Sequence, residues 1–160
     1  SYVQILKSPL MMELKQMIEC SGISCSGIIV ELTESGYLEG TPAVRSVWND
    51  MKQLRIQIAL DDFGTGYSNL MNISNLEPDI VKLDRGFTLK ALSRSYEYQL
   101  MQYVIEMVHK LNQYVCVEGV ETKEDLEKIK ALGPDLIQGY YYSKPCSRDE
   151  FLKKFFGHSE

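Results

Sequence analysis

Residues 56–84 read IQIALDDFGTGYSNLMNISNLEPDIVKLD, and this stretch decides the fold. It contains two short apolar runs, at 56–62 and 79–84, and each run ends in aspartate. Nearly continuous apolar runs of this length are typical of parallel strands that are covered on both faces. We therefore predict two parallel strands whose polar ends lie at the same edge of a sheet.

The same pattern extends to both sides of this stretch. Three further strands are predicted at 28–34, 114–118 and 136–139, and helices are predicted at 9–20, 41–54, 69–74, 94–112, 123–132 and 147–156. Pro42 follows Thr41, and Pro9 follows Ser8, as expected for an N-cap residue before the first helical turn. Alternating strands and helices predict a parallel sheet with helical crossovers, either an open doubly wound sheet or a closed eight-stranded barrel.

The length of the chain bears on that choice. An eight-stranded barrel usually takes about 250 residues, whereas this chain has 160 residues. It also begins with SYVQILKSP, which leads into a helix without a preceding strand. We expect either an open sheet or a barrel whose first strands are missing. No linker-like stretch or internal repeat is visible, so residues 1–160 are predicted to form one domain unit.

Composition excludes several classes of protein. The net charge is −5, with 22 acidic and 17 basic residues, so DNA binding is not expected. A small phosphorylated ligand is compatible with this charge if bound cations reverse it locally. The four cysteines show no Cys-x-x-Cys spacing and are interpreted as free thiols of an intracellular protein. No apolar run approaches the roughly 20 residues needed to cross a bilayer, and no signal peptide is visible.

Acidic side chains gather at the predicted strand ends. A single Asp or Glu usually caps a helix or binds loop amides, but a convergent set of carboxylates would repel one another unless a cation lay among them. Hard divalent metals such as Mg²⁺ or Mn²⁺ prefer oxygen ligands of this kind. The set comprises Glu31, Glu34, Asp61, Asp62, Asp84, Glu118 and Glu121, and the fifth strand ends near the amide of Gln138.

Asp61 and Asp62 precede a segment with two glycines, FGTGYS at 63–68. Neighbouring residues on a strand point to opposite faces, but residues at a strand end can splay toward one site. The glycines allow a tight turn or a close approach to a ligand. The segment is therefore either a mobile active-site loop or a plain glycine-rich turn.

Lys82 lies inside the otherwise apolar run VKLD. On an edge strand it would reach solvent, whereas in a strand buried on both faces it would point toward the barrel mouth, next to the carboxylates. There it would position a water, neutralise phosphate charge, or form a Schiff base as in some lyases. His109 and His158 lie in a predicted helix and in the tail, so neither is expected to act as a ligand or a base.

Five motifs in order carry a resemblance to a known family. They are ELTES at 31–35, DDFGTGYS at 61–68, KLD at 82–84, EGVET at 118–122 and QGYYYSKP at 138–145. In this order and with these intervals they closely resemble the motifs of the EAL family of cyclic di-GMP phosphodiesterases. The resemblance implies an α/β fold, a (β/α)₈ TIM-like barrel, present here as a truncated barrel of about five βα units.

The resemblance also implies a reaction, the hydrolysis of one phosphodiester bond of cyclic di-GMP to linear pGpG with Mg²⁺ or Mn²⁺. Two cations that clamp the attacking water and the scissile phosphate provide a physical route to it. Glu31 and Asp61 would ligate one metal, and Asp61 would bridge to a second metal held by Asp62 and Glu118. Lys82 would orient the nucleophilic water, and Glu118 would also serve as a general base.

Other residues that match the family would support this site. Glu34 would anchor the loop after the second strand, which couples metal binding to dimer contacts. That loop consists of Gly64, Thr65, Gly66, Tyr67 and Ser68. Gln138 would support the network of metal and water, and Asp84 and Glu121 would lie behind the ligands.

The N-terminus departs from the family pattern. The Glu-Ala-Leu motif, an arginine that contacts the substrate phosphate and an asparagine ligand in a VN-x-S segment cannot be placed in this sequence. Ser1 would align with the serine that ends VN-x-S. Two ligands and roughly three of the eight strands would then be absent. We therefore expect the isolated chain to be inactive or nearly so, and its open sheet edges favour an oligomer or a poorly folded fragment.

The resemblance implies cyclic di-GMP as the partner, a homodimer through the barrel, and an upstream GGDEF or sensory domain in the parent protein. A cytoplasmic location is expected. Upstream segments of the parent protein can anchor it to a membrane. Two alternatives stay open. One is a catalytically silent member that binds cyclic di-GMP or a protein as a receptor. The other is a Schiff-base lyase that uses Lys82, which leaves the aspartate pair and the glycine loop unexplained.

Overall fold

The computed structural model describes residues 10–33, 42–65, 73 and 76–157. In these residues five parallel strands form one sheet. The strands are β1 (Ile29–Thr33), β2 (Gln57–Phe63), β3 (Ile80–Leu83), β4 (Tyr114–Glu118) and β5 (Leu136–Gln138). Each predicted strand is confirmed, with both of its bounds within one residue of the prediction.

Helices alternate with the strands as predicted. They are α1 (Leu10–Ser21), α2 (Pro42–Gln53), α3 (Arg85–Ser93), α4 (Ser95–Lys110), α5 (Lys123–Lys130) and α6 (Arg148–Phe156), and a short 3₁₀ turn spans Cys25–Gly27. Pro42 is the first residue of α2, and capping boxes that begin at Thr122 and Ser147 start α5 and α6. The helix predicted at 69–74 lies almost entirely outside the described residues, as do Ser8, Pro9 and Thr41.

Helix α3 is absent from the sequence-based prediction. Its sequence, RGFTLKALS, mixes apolar and polar residues without a clear helical stripe. The helix begins because the side chain of Asp84 accepts hydrogen bonds from the backbone N–H groups of Gly86, at 2.7 Å, and Phe87, at 3.3 Å. It ends where Arg94 adopts an extended backbone before α4. The missed signal was therefore the N-cap aspartate at the end of KLD.

Strand order decides between the two predicted architectures. The strands lie in the order β1-β2-β3-β4-β5, whereas a doubly wound sheet reverses its order at a switch point. The helices also pack on one face, because alternate strand residues such as Ile58, Val81 and Val117 share the main core with Ile105 and Ile129 of α4 and α5. This is the architecture of a TIM-like (β/α)₈ barrel, of which five strands are present in the described residues.

The other face of the sheet carries the intervening side chains. Ala59 and Cys116 form a small buried cluster there with Ile80. Nearer the amino ends, Tyr114 and Leu136 on the same face are about half exposed. In the described residues, the expectation that the strands are covered on both faces therefore holds for β3, whose four residues are all buried, and it does not hold for the first residues of β4 and β5.

Two aspartates fasten the amino ends of the strands. Asp79 Oδ2 accepts from Ile58 N at 2.8 Å while its own N–H donates to Ile58 O at 2.9 Å. Asp135 repeats this arrangement with Val115, at 2.7 and 3.1 Å. Asp135 Oδ2 is also 2.9 Å from His109 Nε2. Each aspartate follows a proline and directly precedes the next strand, so the dipeptide Pro-Asp marks both positions in the sequence.

The cysteines and the helices fit the composition. Cys20 and Cys146 are exposed, Cys25 is half-buried and Cys116 is buried, and all four are free thiols. Within the residues that the structure describes, no helix combines the length and the apolar character needed to span a bilayer.

Candidate active site

A buried lysine organises the carboxyl ends of the strands. Lys82 lies on β3, and its side chain is only 8% exposed. Its Nζ is 2.7 Å from Glu31 Oε1, 3.0 Å from Asp61 Oδ1 and 2.7 Å from Glu118 Oε1. Lys82 therefore does not extend into solvent as an edge-strand lysine would, and three of the four predicted metal ligands converge on its ammonium group.

Strand alternation puts these side chains on one face of the sheet. Glu31 on β1, Asp61 on β2 and Glu118 on β4 each follow a residue that packs into the helix-covered core, as Leu60 and Val117 show by their complete burial. Because neighbouring strands are parallel, their carboxyl ends meet at one edge. The sequence pattern of apolar runs with acidic ends is thus sufficient to assemble the cluster.

A β-bulge places both aspartates of β2 opposite the lysine. Between the paired positions on either side, Asp61 and Asp62 together oppose a single residue of β3, Lys82. Asp62 has a φ of 61°, in the left-handed region that aspartate tolerates better than most residues. Thr65 Oγ1 donates to Asp62 O at 3.2 Å and closes the turn that follows. The bulge is the physical form of the splaying expected at this strand end.

Opposing effects act on the charge of Lys82. Burial disfavours the ammonium form, but hydrogen bonds with Glu118 and Glu31 and the adjacent Asp61 carboxylate outweigh it, so the pKa of Lys82 is raised above its ordinary value. Cys116 lies beside Lys82 in register on β4. Burial, and then the charge of Glu118, raise the pKa of the Cys116 thiol to about 11, which makes it a neutral and unreactive neighbour.

The pKa of Asp62 indicates an excess of negative charge near Lys82. Its pKa is raised, first by burial and then by repulsion from Asp61 and Asp84, and Lys82 offsets this only in part. A group of carboxylates that one ammonium does not fully neutralise favours the approach of a further cation.

An open cleft of about 370 Å³ adjoins this cluster. Glu118 and Gln138, the last residues of β4 and β5, line it together with residues of the following turns and of the start of α3: Arg85, Gly119, Glu121, Gly139 and Tyr140. Gln138 is paired with Glu118 in register. The cleft is therefore continuous with the carboxylate cluster.

The remaining predicted residues are placed as follows. Asp84 caps α3 with its side chain, so the helix-cap alternative describes its contacts. Glu121 forms an ion pair with Arg85. Gly64, with a φ of 105°, packs so closely on Phe87 of α3 that a β-carbon would lie 2.9 Å from that ring. The loop residues Glu34, Gly66, Tyr67 and Ser68 lie outside the described residues.

The donors suit a hard cation. Every predicted ligand presents carboxylate oxygens, and Asp61 Oδ1 is buried 3.0 Å from Lys82 Nζ. Among the described residues, however, no three Asp, Glu, His or Cys side chains are arranged around one point as a metal site. The Lys82 ammonium lies where the carboxylates converge, so a metal ion would have to take over contacts that Lys82 now makes.

One residue of the cleft was missed by the sequence analysis. Arg85 directly follows the KLD motif and begins α3, and its side chain reaches the turn after β4. The signal was present as the cation next to a motif of acidic residues, but a helix at 85–93 had not been predicted, and without it Arg85 had no place in the fold.

The fold and the site define a class: barrels of parallel strands and helices with a lysine and converging carboxylates at the carboxyl ends of the strands. The family model of the EAL domain matches residues 2–145 of this chain. The chain belongs to the EAL domain family.

Two curated relatives illustrate the similarity. The cyclic di-GMP phosphodiesterase NbdA of Pseudomonas aeruginosa is 29% identical over 152 residues, covering 93% of this chain and 19% of the relative. The cyclic di-GMP phosphodiesterase PdeF of Escherichia coli is 32% identical over 133 residues, covering 83% of this chain and 18% of the relative. The chain thus spans about a fifth of the length of these relatives.

Solved structures agree with this placement. The EAL domain of Mycobacterium smegmatis DcpA superimposes with a TM-score of 0.88 at 26% identity, covering 98% of this chain and 70% of that one. A manganese and cyclic di-GMP complex of Klebsiella pneumoniae BlrP1 gives a TM-score of 0.82 at 26% identity, covering 89% of this chain and 36% of that one.

Proposed function

We propose that this chain carries the lysine and four carboxylates of a metal-dependent phosphodiesterase site that hydrolyses cyclic di-GMP to linear pGpG. The observation that carries the proposal is the convergence of Glu31, Asp61 and Glu118 on the buried Lys82. Membership of the EAL family and the names of the relatives support the substrate.

Mg²⁺ or Mn²⁺ is the proposed cofactor, in a two-metal site. Glu31, Asp61, Asp62 and Glu118 would hold the cations, with Asp61 shared between them. Bound cations would supply an activated water and neutralise charge on the phosphate. The manganese complex of the BlrP1 structure supports this choice of cofactor.

The residues of this chain would share the remaining work. The Lys82 ammonium has three N–H donors, and an entering water or phosphate oxygen has to share them with the carboxylates that contact it now. Release of one of these carboxylates from Lys82 would free a donor for that oxygen. Glu118 would then accept the proton of the attacking water, and Gln138, in register with it, would orient the water by hydrogen bonding.

We further propose that residues 1–160 belong to a longer EAL domain whose Glu-Ala-Leu segment lies upstream. The motif is absent from this sequence, and the matched M. smegmatis domain is covered only to 70%. A homodimer through the barrel, an upstream GGDEF or sensory domain and a cytoplasmic location belong to the same proposal. The isolated chain should hydrolyse cyclic di-GMP very slowly, because its metal ligands are incomplete.

The test compares the 160-residue chain with the natural protein extended upstream to about 250 residues. Conversion of cyclic di-GMP to pGpG is followed by chromatography with Mn²⁺, with Mg²⁺ and with a chelator. Asp61→Asn in the extended protein controls for contaminating phosphodiesterase. We expect turnover only in the extended protein with metal. Rapid turnover by the short chain would refute the incomplete-domain proposal, and no turnover by the extended protein would refute the enzymatic one.

A receptor that binds cyclic di-GMP without hydrolysis is the second candidate. The observation that favours it is the occupation of three carboxylates by Lys82, since no three of the described acidic side chains are arranged around one metal position. Binding of cyclic di-GMP to the extended protein in the presence of chelator, without pGpG formation when metal is added, would distinguish this function.

A further inference from the structure

The turn after β4 is held from one side by an arginine. Arg85 Nη2 and Nε donate to Glu121 Oε1 at 2.7 and 3.3 Å. The aliphatic part of Arg85 lies against Gly119, where an added β-carbon would collide with Arg85 Cγ and lie 2.9 Å from its Cβ. Gly119 has a φ of 81°, so the backbone turns sharply directly after Glu118.

The same turn is held from the other side by the backbone. Val120 is fully buried, its N–H donates to Gln138 O at 3.3 Å, and its carbonyl accepts from Tyr141 N at 3.0 Å. The peptide that follows Glu118 is therefore enclosed between the start of α3 and the turn after β5. On the side of β5 the turn is held by backbone hydrogen bonds, whereas on the side of α3 it is held by the charged side chain of Arg85.

We propose that Arg85 is a positioning residue for Glu118: with Glu121 it clamps the turn at Gly119 and so fixes where the Glu118 carboxylate lies. This inference rests on the proposed function, in which Glu118 is a metal ligand and general base. The clamp requires an aliphatic stem that packs on the glycine and a head group that donates two hydrogen bonds in a fixed geometry. Arginine meets both needs, whereas lysine keeps the stem but presents only a point charge.

The clamp is expected to contribute little to global stability. The side chains of Arg85 and Glu121 are 58% and 38% exposed, and exposed ion pairs of this kind have small effects on folding. Variants at either position should therefore fold, so that a change in their kinetics can be attributed to geometry at the site.

The experiment uses the extended protein that hydrolyses cyclic di-GMP. Arg85→Ala should lower kcat roughly 10-fold or more, because small misplacements of a catalytic group are costly, while KM changes less than about 2-fold. Glu121→Gln should have a similar effect, and the double variant should be no worse than either single one, as for two residues that act as a unit. Arg85→Lys should restore part of kcat.

The matched control is Arg94→Ala, which removes another exposed arginine in an ion pair, with Glu97 at 3.1 Å. Arg94 lies at the opposite end of α3, and this variant should keep its kcat. An unchanged kcat in Arg85→Ala would overturn the proposal. A raised KM with unchanged kcat would also overturn it, because Arg85 would then contact the substrate. Additive losses in the double variant would overturn it as well, because Arg85 and Glu121 would then act independently.

Hydrogen exchange separates this inference from the proposed function. The Val120 amide should exchange faster in Arg85→Ala than in the native protein or in Arg94→Ala, whether or not the protein hydrolyses cyclic di-GMP. Faster exchange without any hydrolysis would leave the clamp standing and refute the enzymatic function. Unchanged exchange would refute the clamp.

Discussion

The two ends of the sheet use carboxylate side chains in opposite ways. At the amino ends, Asp79 and Asp135 accept hydrogen bonds from backbone N–H groups that are fixed in the sheet. At the carboxyl ends, Asp61 and Glu118 have as their counter-charge a side chain, Lys82, which they share with a third carboxylate. Carboxylates bound to a backbone are committed to the fold, whereas carboxylates that share a side-chain ammonium can exchange partners.

This difference indicates where function can reside. Asp135 gains two partners that keep it ionised and in place, namely Val115 N–H and His109. Asp61, in contrast, shares the Lys82 ammonium with two other carboxylates, and Asp62 has a raised pKa. Crowded carboxylates of like charge cost stability, so their convergence on one ammonium at the carboxyl ends marks this end of the barrel as the one that is shaped for a ligand.

The largest expected effect is that of Lys82→Met. Three partly exposed carboxylates lose their shared cation, so the free energy of unfolding should fall by about 3 kcal/mol, and hydrolysis by the extended protein should fall at least roughly 100-fold. Because the pKa of Lys82 is raised, its contribution is complete below the ordinary lysine pKa and is lost only at higher pH. The difference in stability should therefore stay constant between about pH 6 and 9.

Urea unfolding at several pH values checks this prediction. Lys128→Met is the control, because Lys128 also forms a short ion pair, 2.8 Å from Glu124, but on an exposed helix face; this variant should leave the free energy of unfolding nearly unchanged. If Lys82→Met proved as stable as the native protein, the carboxylates would not depend on Lys82, and the contrast between the two ends would fail.

The second effect concerns the amino ends. Asp135→Ala leaves the Val115 N–H without its acceptor, and Asp79→Ala does the same to Ile58 N–H, so each should cost about 1–2 kcal/mol. Burial raises the pKa of Asp135, but the hydrogen bonds from Val115 and His109 outweigh this and lower it. Its contribution is thus present above the ordinary aspartate pKa and is lost as the pH falls through the lowered one.

The measurement is again urea unfolding, here from pH 7 down to about pH 3. The cost of Asp135→Ala should shrink at the acid end of this range. Asp149→Ala, at a side chain that is 93% exposed, should have an effect below about 0.5 kcal/mol. A loss of cyclic di-GMP hydrolysis at pH 7 in the folded Asp135→Ala extended protein would contradict the assignment of the amino ends to stability alone.

The sequence predicted the two ends unequally well. Apolar runs with acidic ends were enough to predict the strands and the meeting of Glu31, Asp61 and Glu118, because parallel strands impose that meeting. Asp79 and Asp135 were not recognised, since a carboxylate that binds a backbone N–H on another strand has no local pattern beyond the step Pro-Asp. The bulge at Asp62 was not predicted either, because it depends on the register between two strands.

His109→Ala should have a smaller effect than the loss of Asp135 itself. The ring is 38% exposed and lies 2.9 Å from Asp135 Oδ2, which keeps its hydrogen bond from Val115. We expect a cost below about 1 kcal/mol in urea unfolding at pH 7. His109→Gln, which retains an N–H donor, should recover part of it. A cost as large as that of Asp135→Ala would mean that the histidine, and not the backbone, fixes the aspartate.

The smallest expected effect, that of Asp62→Asn, is a gain in stability. It contrasts an aspartate at the carboxyl ends of the strands with Asp135 at their amino ends. Asp62→Asn removes a charge that burial and Asp61 make unfavourable, and asparagine tolerates the φ of 61° at this position. Because the pKa of Asp62 is raised, its ionisation costs stability as the pH rises above the ordinary aspartate value, so the variant should be more stable at pH 7 by a few tenths of a kcal/mol and no more stable near pH 3. The same variant should show a smaller rise in thermal midpoint on addition of Mn²⁺, since a proposed ligand has lost its charge. A destabilised Asp62→Asn protein would show that Asp62 serves the fold as Asp135 does, and an unchanged response to Mn²⁺ would remove Asp62 from the metal site.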